Sequence, residues 1–137
     1  MFKKSLLTLC YSGFLLVLLS FADYGRGDCS RHKNGNFFFK PAGTKGYKIS
    51  RQDSVQTETD LSTGYYAKYK VKWLNEYTYE VKNLFESSNP EFKDDAGNLK
   101  VPPPLKFEIL LSEKDYYIFR IKTRNVSPII DTIWVDL

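Results

Sequence analysis

From Asn34 onward the chain repeats with a period of two, and the segment from Tyr65 to Trp73 shows it most plainly. Tyr65, Ala67, Tyr69, Val71 and Trp73 fall in one phase, while Tyr66, Lys68, Lys70 and Lys72 fall in the other. Successive side chains of an extended strand point to opposite faces, so this order builds a sheet with one buried face and one wet face. Branched and aromatic residues fill the apolar phase, as packing on a pleated surface favours, and helical stripes are absent.

The same rule extends along the chain. Asn75-Glu76 links this strand to Tyr77, Tyr79 and Val81, which alternate with Thr78, Glu80 and Lys82. A second hairpin joins Leu105, Phe107, Ile109 and Leu111, through a turn at Ser112 to Asp115, to Tyr117, Phe119 and Ile121. Weaker strands are expected over Gly35 to Lys40, Tyr47 to Arg51, Ser54 to Thr59 and Ile129 to Val135. Turn chemistry separates them at Pro41-Ala42-Gly43, Gln52-Asp53, Ser62-Thr63-Gly64 and Ser127-Pro128. The expectation is an all-β fold, an antiparallel meander of about eight strands forming a small barrel or a strongly curved sheet. Leu84 to Pro104 breaks the alternation and holds Asn89-Pro90, Asp94 to Asn98 and Pro102-Pro103-Pro104, which reads as a long loop with one helical turn near Asn89 to Phe92.

The first 22 residues follow different rules. Lys3 and Lys4 precede eighteen largely apolar residues ending in Ser20-Phe21-Ala22, which is the order of a secretory signal cleaved after Ala22. Retention as a single-pass anchor is the alternative, since the run lies at the short end of what spans a bilayer. Lipid attachment does not fit, because Cys29 follows Arg26-Gly27-Asp28 and Cys10 follows Leu9, neither in a lipobox context. The signal holds two of the twenty basic residues and none of the sixteen acids, so its removal lowers the formal net charge from +4 to +2. Residues 23–34 then read as a flexible leader and 35–137 as a single β domain with a long loop at 84–104. Cys29 is the one cysteine left, so no internal disulfide forms, and its thiol is either tolerated or paired with another chain.

Candidate chemistry is sparse. His32 is the only histidine and lies between Arg31 and Lys33, whose charges disfavour a protonated ring and repel a metal, so it reads as structural or solvated. No metal site and no cofactor follow, and Cys29 with His32 lacks the third group and the rigid scaffold a catalytic dyad needs. Carboxylate pairs are available in principle for glycoside hydrolysis, although Glu80 and Glu108 alternate with apolar residues as a wet face does. Asp94, Asp95 and Asn98 lack the closing bidentate acid of a calcium loop and read as a turn. Lys68, Lys70, Lys72 and Lys82 beside Tyr66 would suit a nucleic-acid strand. The slight net charge and export argue against such a partner, and exposed lysines also block edge pairing. Arg26-Gly27-Asp28 matches an integrin-recognition tripeptide at a level chance supplies, and Asn125-Val126-Ser127 is a glycosylation triplet followed by Pro128.

The inward phase collects Phe37, Phe39, Tyr69, Trp73, Tyr79, Phe107, Phe119 and Trp134. In a barrel of about eight strands such residues either fill the interior or surround one small molecule, and buried tyrosine hydroxyls require a partly polar interior. The candidate ligand-binding face is Tyr69, Trp73, Tyr79, Phe107, Phe119 and Trp134.

Cys29, Gly35 and Phe37, then Ile49-Ser50-Arg51, Gln56-Thr57-Glu58, Gly64, and Lys72-Trp73 with Tyr79 resemble a pattern in short exported Bacteroidota proteins of unknown function, some mislabelled as topoisomerase. The resemblance spans residues 29–82 and implies an envelope β domain, lipocalin-like in general shape, with Arg51, Gln56 and Glu58 as a polar constellation. A cysteine that follows the tryptophan strand in such proteins is replaced here by Glu76 and Tyr77. Gln56 and Glu58 share one strand face, which is also what a wet face looks like.

The functional expectation is therefore a non-enzymatic, periplasmic or secreted binding protein for a small hydrophobic or amphipathic molecule, with no membrane span after signal cleavage. The alternative is an envelope protein-protein interaction module that uses the 84–104 loop or the lysine-rich strand face. A third reading places two carboxylates in one pocket as an enzyme. An outer-membrane barrel fits less well, because most strands are shorter than the nine to eleven or so residues that cross a bilayer and carry lysines outside.

Overall fold

Eight antiparallel strands follow one another in chain order around a closed barrel, so the all-β meander read from the alternation is what the chain forms. The computed structural model describes residues 25–137. The signal-peptide reading of residues 1–22 lies outside them. The strands are β1 (Gly35–Phe39), β2 (Tyr47–Gln52), β3 (Val55–Asp60), β4 (Tyr66–Trp73), β5 (Thr78–Ser87), β6 (Leu105–Ser112), β7 (Tyr116–Ile121) and β8 (Ile129–Val135). Among the described residues no helix is long and apolar enough to cross a membrane, which says nothing of a β-barrel.

The turns after β2, β4 and β6 gather at one end of the barrel, and those after β1, β3, β5 and β7 at the other. β5 pairs with β6 only through Thr78 to Val81 opposite Leu105 to Glu108, so the rest of β5 is free on that side. The barrel splays there, and the chain that returns from Ser88 to Pro104 runs beside the gap with a short 3-10 turn at Pro90–Phe92. β1 and β8 close the circle through two register pairs, Phe37 with Val135 and Phe38 with Trp134.

Two bulges explain where alternation and structure part. Lys68 pairs with Glu86 but Lys70 with Lys82, so Asn83, Leu84 and Phe85 stand opposite Tyr69 alone. Asn83 takes a left-handed φ of 52°, a conformation asparagine tolerates better than most residues. The strand thereby continues to Ser87, and the loop expected from residue 84 begins after it. In β6 the register shifts between Ile109 and Leu111, which turns Ser112 inward opposite Tyr117. Ser112 is consequently buried, although its place at a strand end suggests an exposed turn.

The stretch read as a flexible leader is built into the turn end of the barrel instead. Cys29–His32 forms a 3-10 turn capped by Asp28, whose carboxylate accepts from the Ser30 amide at 3.0 Å. Cys29 and His32 are both buried. Arg26 donates to Glu108 at 2.9 Å and to the Ile109 carbonyl at 2.8 Å, and its guanidinium lies 3.9 Å from the Tyr77 ring centroid. The Arg-Gly-Asp tripeptide is thus held by its own fold rather than presented on a mobile segment. Gly27 makes this possible, because its φ is +80° and an added Cβ would lie 2.2 Å from the Ser112 carbonyl oxygen.

Candidate functional site

Inside the barrel a cavity of about 500 Å³ opens toward the splayed end. Its walls come from the inward phases of several strands: Phe39 on β1, Ile49 on β2, Ala67 and Tyr69 on β4, Phe107 on β6 and Phe119 on β7. Arg51 on β2 and Gln56 and Glu58 on β3 line it as well and form its polar floor. Phe92, from the 3-10 turn in the long loop, reaches the mouth.

Arg51 lies directly across the β2–β3 ladder from Gln56. Its side chain is 3 % exposed, an unusual place for a guanidinium, so its donors demand partners. Nε donates to Gln56 Oε1 at 2.6 Å, Nη1 to the His32 carbonyl at 3.1 Å, and Nη2 to the hydroxyls of Tyr79 at 2.9 Å and Tyr117 at 2.7 Å. The two hydroxyls also bond each other at 2.8 Å. Phe37 and Tyr79 offer ring faces 4.9 Å and 4.6 Å from the guanidinium carbon. Burial works against the charge, but the Tyr117 and Tyr79 oxygens outweigh it and hold the Arg51 pKa above the ordinary arginine value. Tyr79 stays protonated, because burial drives its pKa well above the usual phenol value.

Gln56 passes the network onward. Its Nε2 donates to Glu58 Oε1 at 2.6 Å. Glu58 pairs across the sheet with Ile49 on one side and Ala67 on the other, and the small Ala67 side chain leaves room beside the carboxylate. Burial raises the Glu58 pKa, while the Gln56 bond and the Arg51 charge oppose the rise. Tyr69 nearby is pushed up to about 12 by burial and by the Glu58 charge.

His32 seals the network from below. Ser112 Oγ donates to the Asp28 carbonyl at 2.9 Å, so its one hydrogen is committed and His32 Nε2, 2.8 Å away, must be the donor to Ser112. That fixes the neutral tautomer with an unprotonated Nδ1, which has no partner in its buried position. Burial, then the Arg31 and Arg51 charges, lower the His32 pKa to about 4. Cys29 carries a free, buried thiol whose pKa burial raises, as expected of a packing residue.

Of the residues proposed from alternation, Tyr69, Phe107 and Phe119 line the cavity. Tyr79 and Trp73 pack below its floor, with ring centroids 4.9 Å apart, and Lys33 Nζ lies 5.3 Å from the Trp73 ring centroid. Trp134 does not face inward. It is 50 % exposed and packs on Tyr116 across the outer face at 5.1 Å, because β7 register places Ile133 opposite the buried Tyr117. Arg51, Gln56 and Glu58 do come together, and the face that Gln56 and Glu58 share is the barrel interior, with Gln56 2 % exposed, rather than a wet surface. Three carboxylates, Glu58, Asp60 and Glu91, line one cavity, but Asp60 Oδ1 is taken by the Ser62 amide at 2.7 Å and the Ser62 hydroxyl at 2.5 Å. His32, Tyr117 and Ser112 are the members of the site that alternation alone did not single out as polar partners. Compared with protein-family models, with curated proteins and with solved structures, the chain matches none.

Proposed function

We propose that this barrel binds one small amphipathic molecule in its cavity without chemical turnover, as an exported, lipocalin-like carrier. The observation that carries the reading is an apolar-walled cavity of about 500 Å³ that ends on the buried Arg51–Gln56–Glu58 chain. Small-molecule sites are typically concave, of about 300 to 1,000 Å³, mostly apolar and furnished with a few placed polar groups. A barrel needing only stability would fill this space, since an empty interior forfeits packing contacts.

Native mass spectrometry of the protein purified from its own host tests the reading, with Ala67→Trp as the control that fills the space beside Glu58. The expected result is a co-purifying mass on the unaltered protein that is lost in the variant. Repeated absence of any adduct, together with equal uptake of a fluorescent apolar probe by A67W, would refute it.

A second reading, protein docking at the mouth, is favoured by Leu105 and Ile129, which line the cavity and are exposed. Deleting residues 94–98 and repeating a pull-down from envelope extract separates the two, because unchanged partners would argue against the loop.

A further inference from the structure

We infer that the polar end of the ligand is a protonated amine seated against Glu58. This rests on the carrier reading above and adds the chemical class of the ligand. Three features of the floor lead to it.

First, the one cation in the cavity lining is already occupied. Four of the five guanidinium N–H groups of Arg51 bond Gln56, His32, Tyr79 and Tyr117. Gln56 stands between the guanidinium and Glu58, with its carbonyl used by Arg51 and its amide used by Glu58. An anionic head entering from the mouth would have to break this chain to reach the guanidinium.

Second, Glu58 has spare accepting capacity. An ionised carboxylate accepts at both oxygens, yet Gln56 satisfies Oε1 alone, and no donor among the described residues reaches Oε2. The ion pairs among the described residues involve Arg26, Lys68, Lys82 and Arg120, none of which pairs with Glu58.

Third, the charge of the lining runs against that of the chain. The full sequence carries a formal net charge of +4, while the cavity lining holds Glu58, Asp60 and Glu91 against Arg51 and contains no lysine. Solvated lysines cover the outside of β4, so the exclusion is specific to the interior. A carboxylate or phosphate head meets like charge here. An ammonium head meets a carboxylate with an open oxygen, and the apolar walls take its hydrocarbon.

Titration calorimetry with dodecylamine, dodecanol and dodecanoate, each below its micelle concentration at neutral pH, tests the assignment. The three probes share one chain and differ only in head group. Dodecylamine is expected to bind about tenfold or more tighter than dodecanol, the size of one added charge-assisted hydrogen bond, with dodecanoate weakest. Glu58→Gln is expected to bring amine and alcohol affinities within about twofold of each other. Dodecanoate binding as tight as the amine's, or E58Q leaving the amine preference intact, would overturn the assignment while alcohol binding upheld the cavity. Failure of all three probes would overturn the carrier reading itself. The head-group series on the unaltered protein decides even if E58Q does not fold.

Discussion

Arg51→Met is the most informative single change, because it removes the guanidinium while keeping an apolar stem of similar reach. Gln56 Oε1 loses a donor at 2.6 Å and the His32 carbonyl loses one at 3.1 Å. Tyr79 and Tyr117 retain each other at 2.8 Å and are less affected. Two buried acceptors are therefore stranded, at about 1 to 3 kcal/mol each. Relief from burying a charge offsets part of this, so the net loss is about 3 kcal/mol. Against a total stability of about 5 to 15 kcal/mol for a domain of this size, that is a large fraction. Arg51→Lys keeps the charge but has three donors and no planar fork, so it is expected to lose about 2 kcal/mol. Urea unfolding with an unchanged m-value is the assay. Adding Gln56→Leu to R51M removes one stranded acceptor, so the double variant should be less destabilised than the two single losses added together. An R51M protein within about 0.5 kcal/mol of the parent would refute the claim that the chain from His32 to Glu58 is one coupled unit.

Two further changes address the turn end of the barrel. Gly27→Ala forces a left-handed backbone onto alanine and drives its Cβ to 2.2 Å from the Ser112 carbonyl, so the 25–34 segment should detach. A loss of about 2 kcal/mol or more and new protease cleavage in that segment are expected, and an unchanged digestion pattern would count against the packing described. His32 gives the pH dependence. Its folded pKa lies near 4, below the ordinary value of 6.5, so the unfolded chain binds the extra proton first as pH falls. The contribution of neutral His32 is fully present above pH 6.5 and is lost between pH 6.5 and 4, by about 3 kcal/mol in all. Urea midpoints of the parent and of His32→Gln measured across that window should diverge in slope, whereas parallel curves would show that His32 is not held neutral.

Alternation and turn chemistry together located the eight strands, most of which present a recognisable apolar face to the interior. β3 is the exception, and it holds the site. Its inward residues are Gln56, Glu58 and Asp60, while Val55, Thr57 and Thr59 point outward, so hydropathy alone assigns its two faces the wrong way round. Arg51 was more legible, since it shares a phase with Tyr47 and Ile49 on β2 and a charge in the apolar phase is itself a signal. Trp134 failed for another reason. Ile129, Ile130, Ile133, Trp134 and Val135 put apolar residues in both phases of β8, and only its register with β7 selects Ile133 for the interior. Ser112 was hidden by a bulge, whose extra residue shifts the phase where composition gives no warning. The burial of His32 depends on contacts more than seventy residues away, which local pattern does not encode.

The charged floor also bears on how the barrel fixes its own register. A one-residue slip of β3 against β2 would turn Gln56 away from Arg51 and leave the guanidinium buried without its shortest bond. Apolar residues at these positions would pack about as well and often stabilise more, yet β3 has few apolar side chains to report a wrong alignment. Arg51 supplies that report by demanding partners at once from β3, β5, β7 and the 3-10 turn. The same demand commits four of the guanidinium's five N–H groups to the protein itself. It is this commitment that leaves Glu58, at the far end of the chain, as the group with an oxygen still to offer.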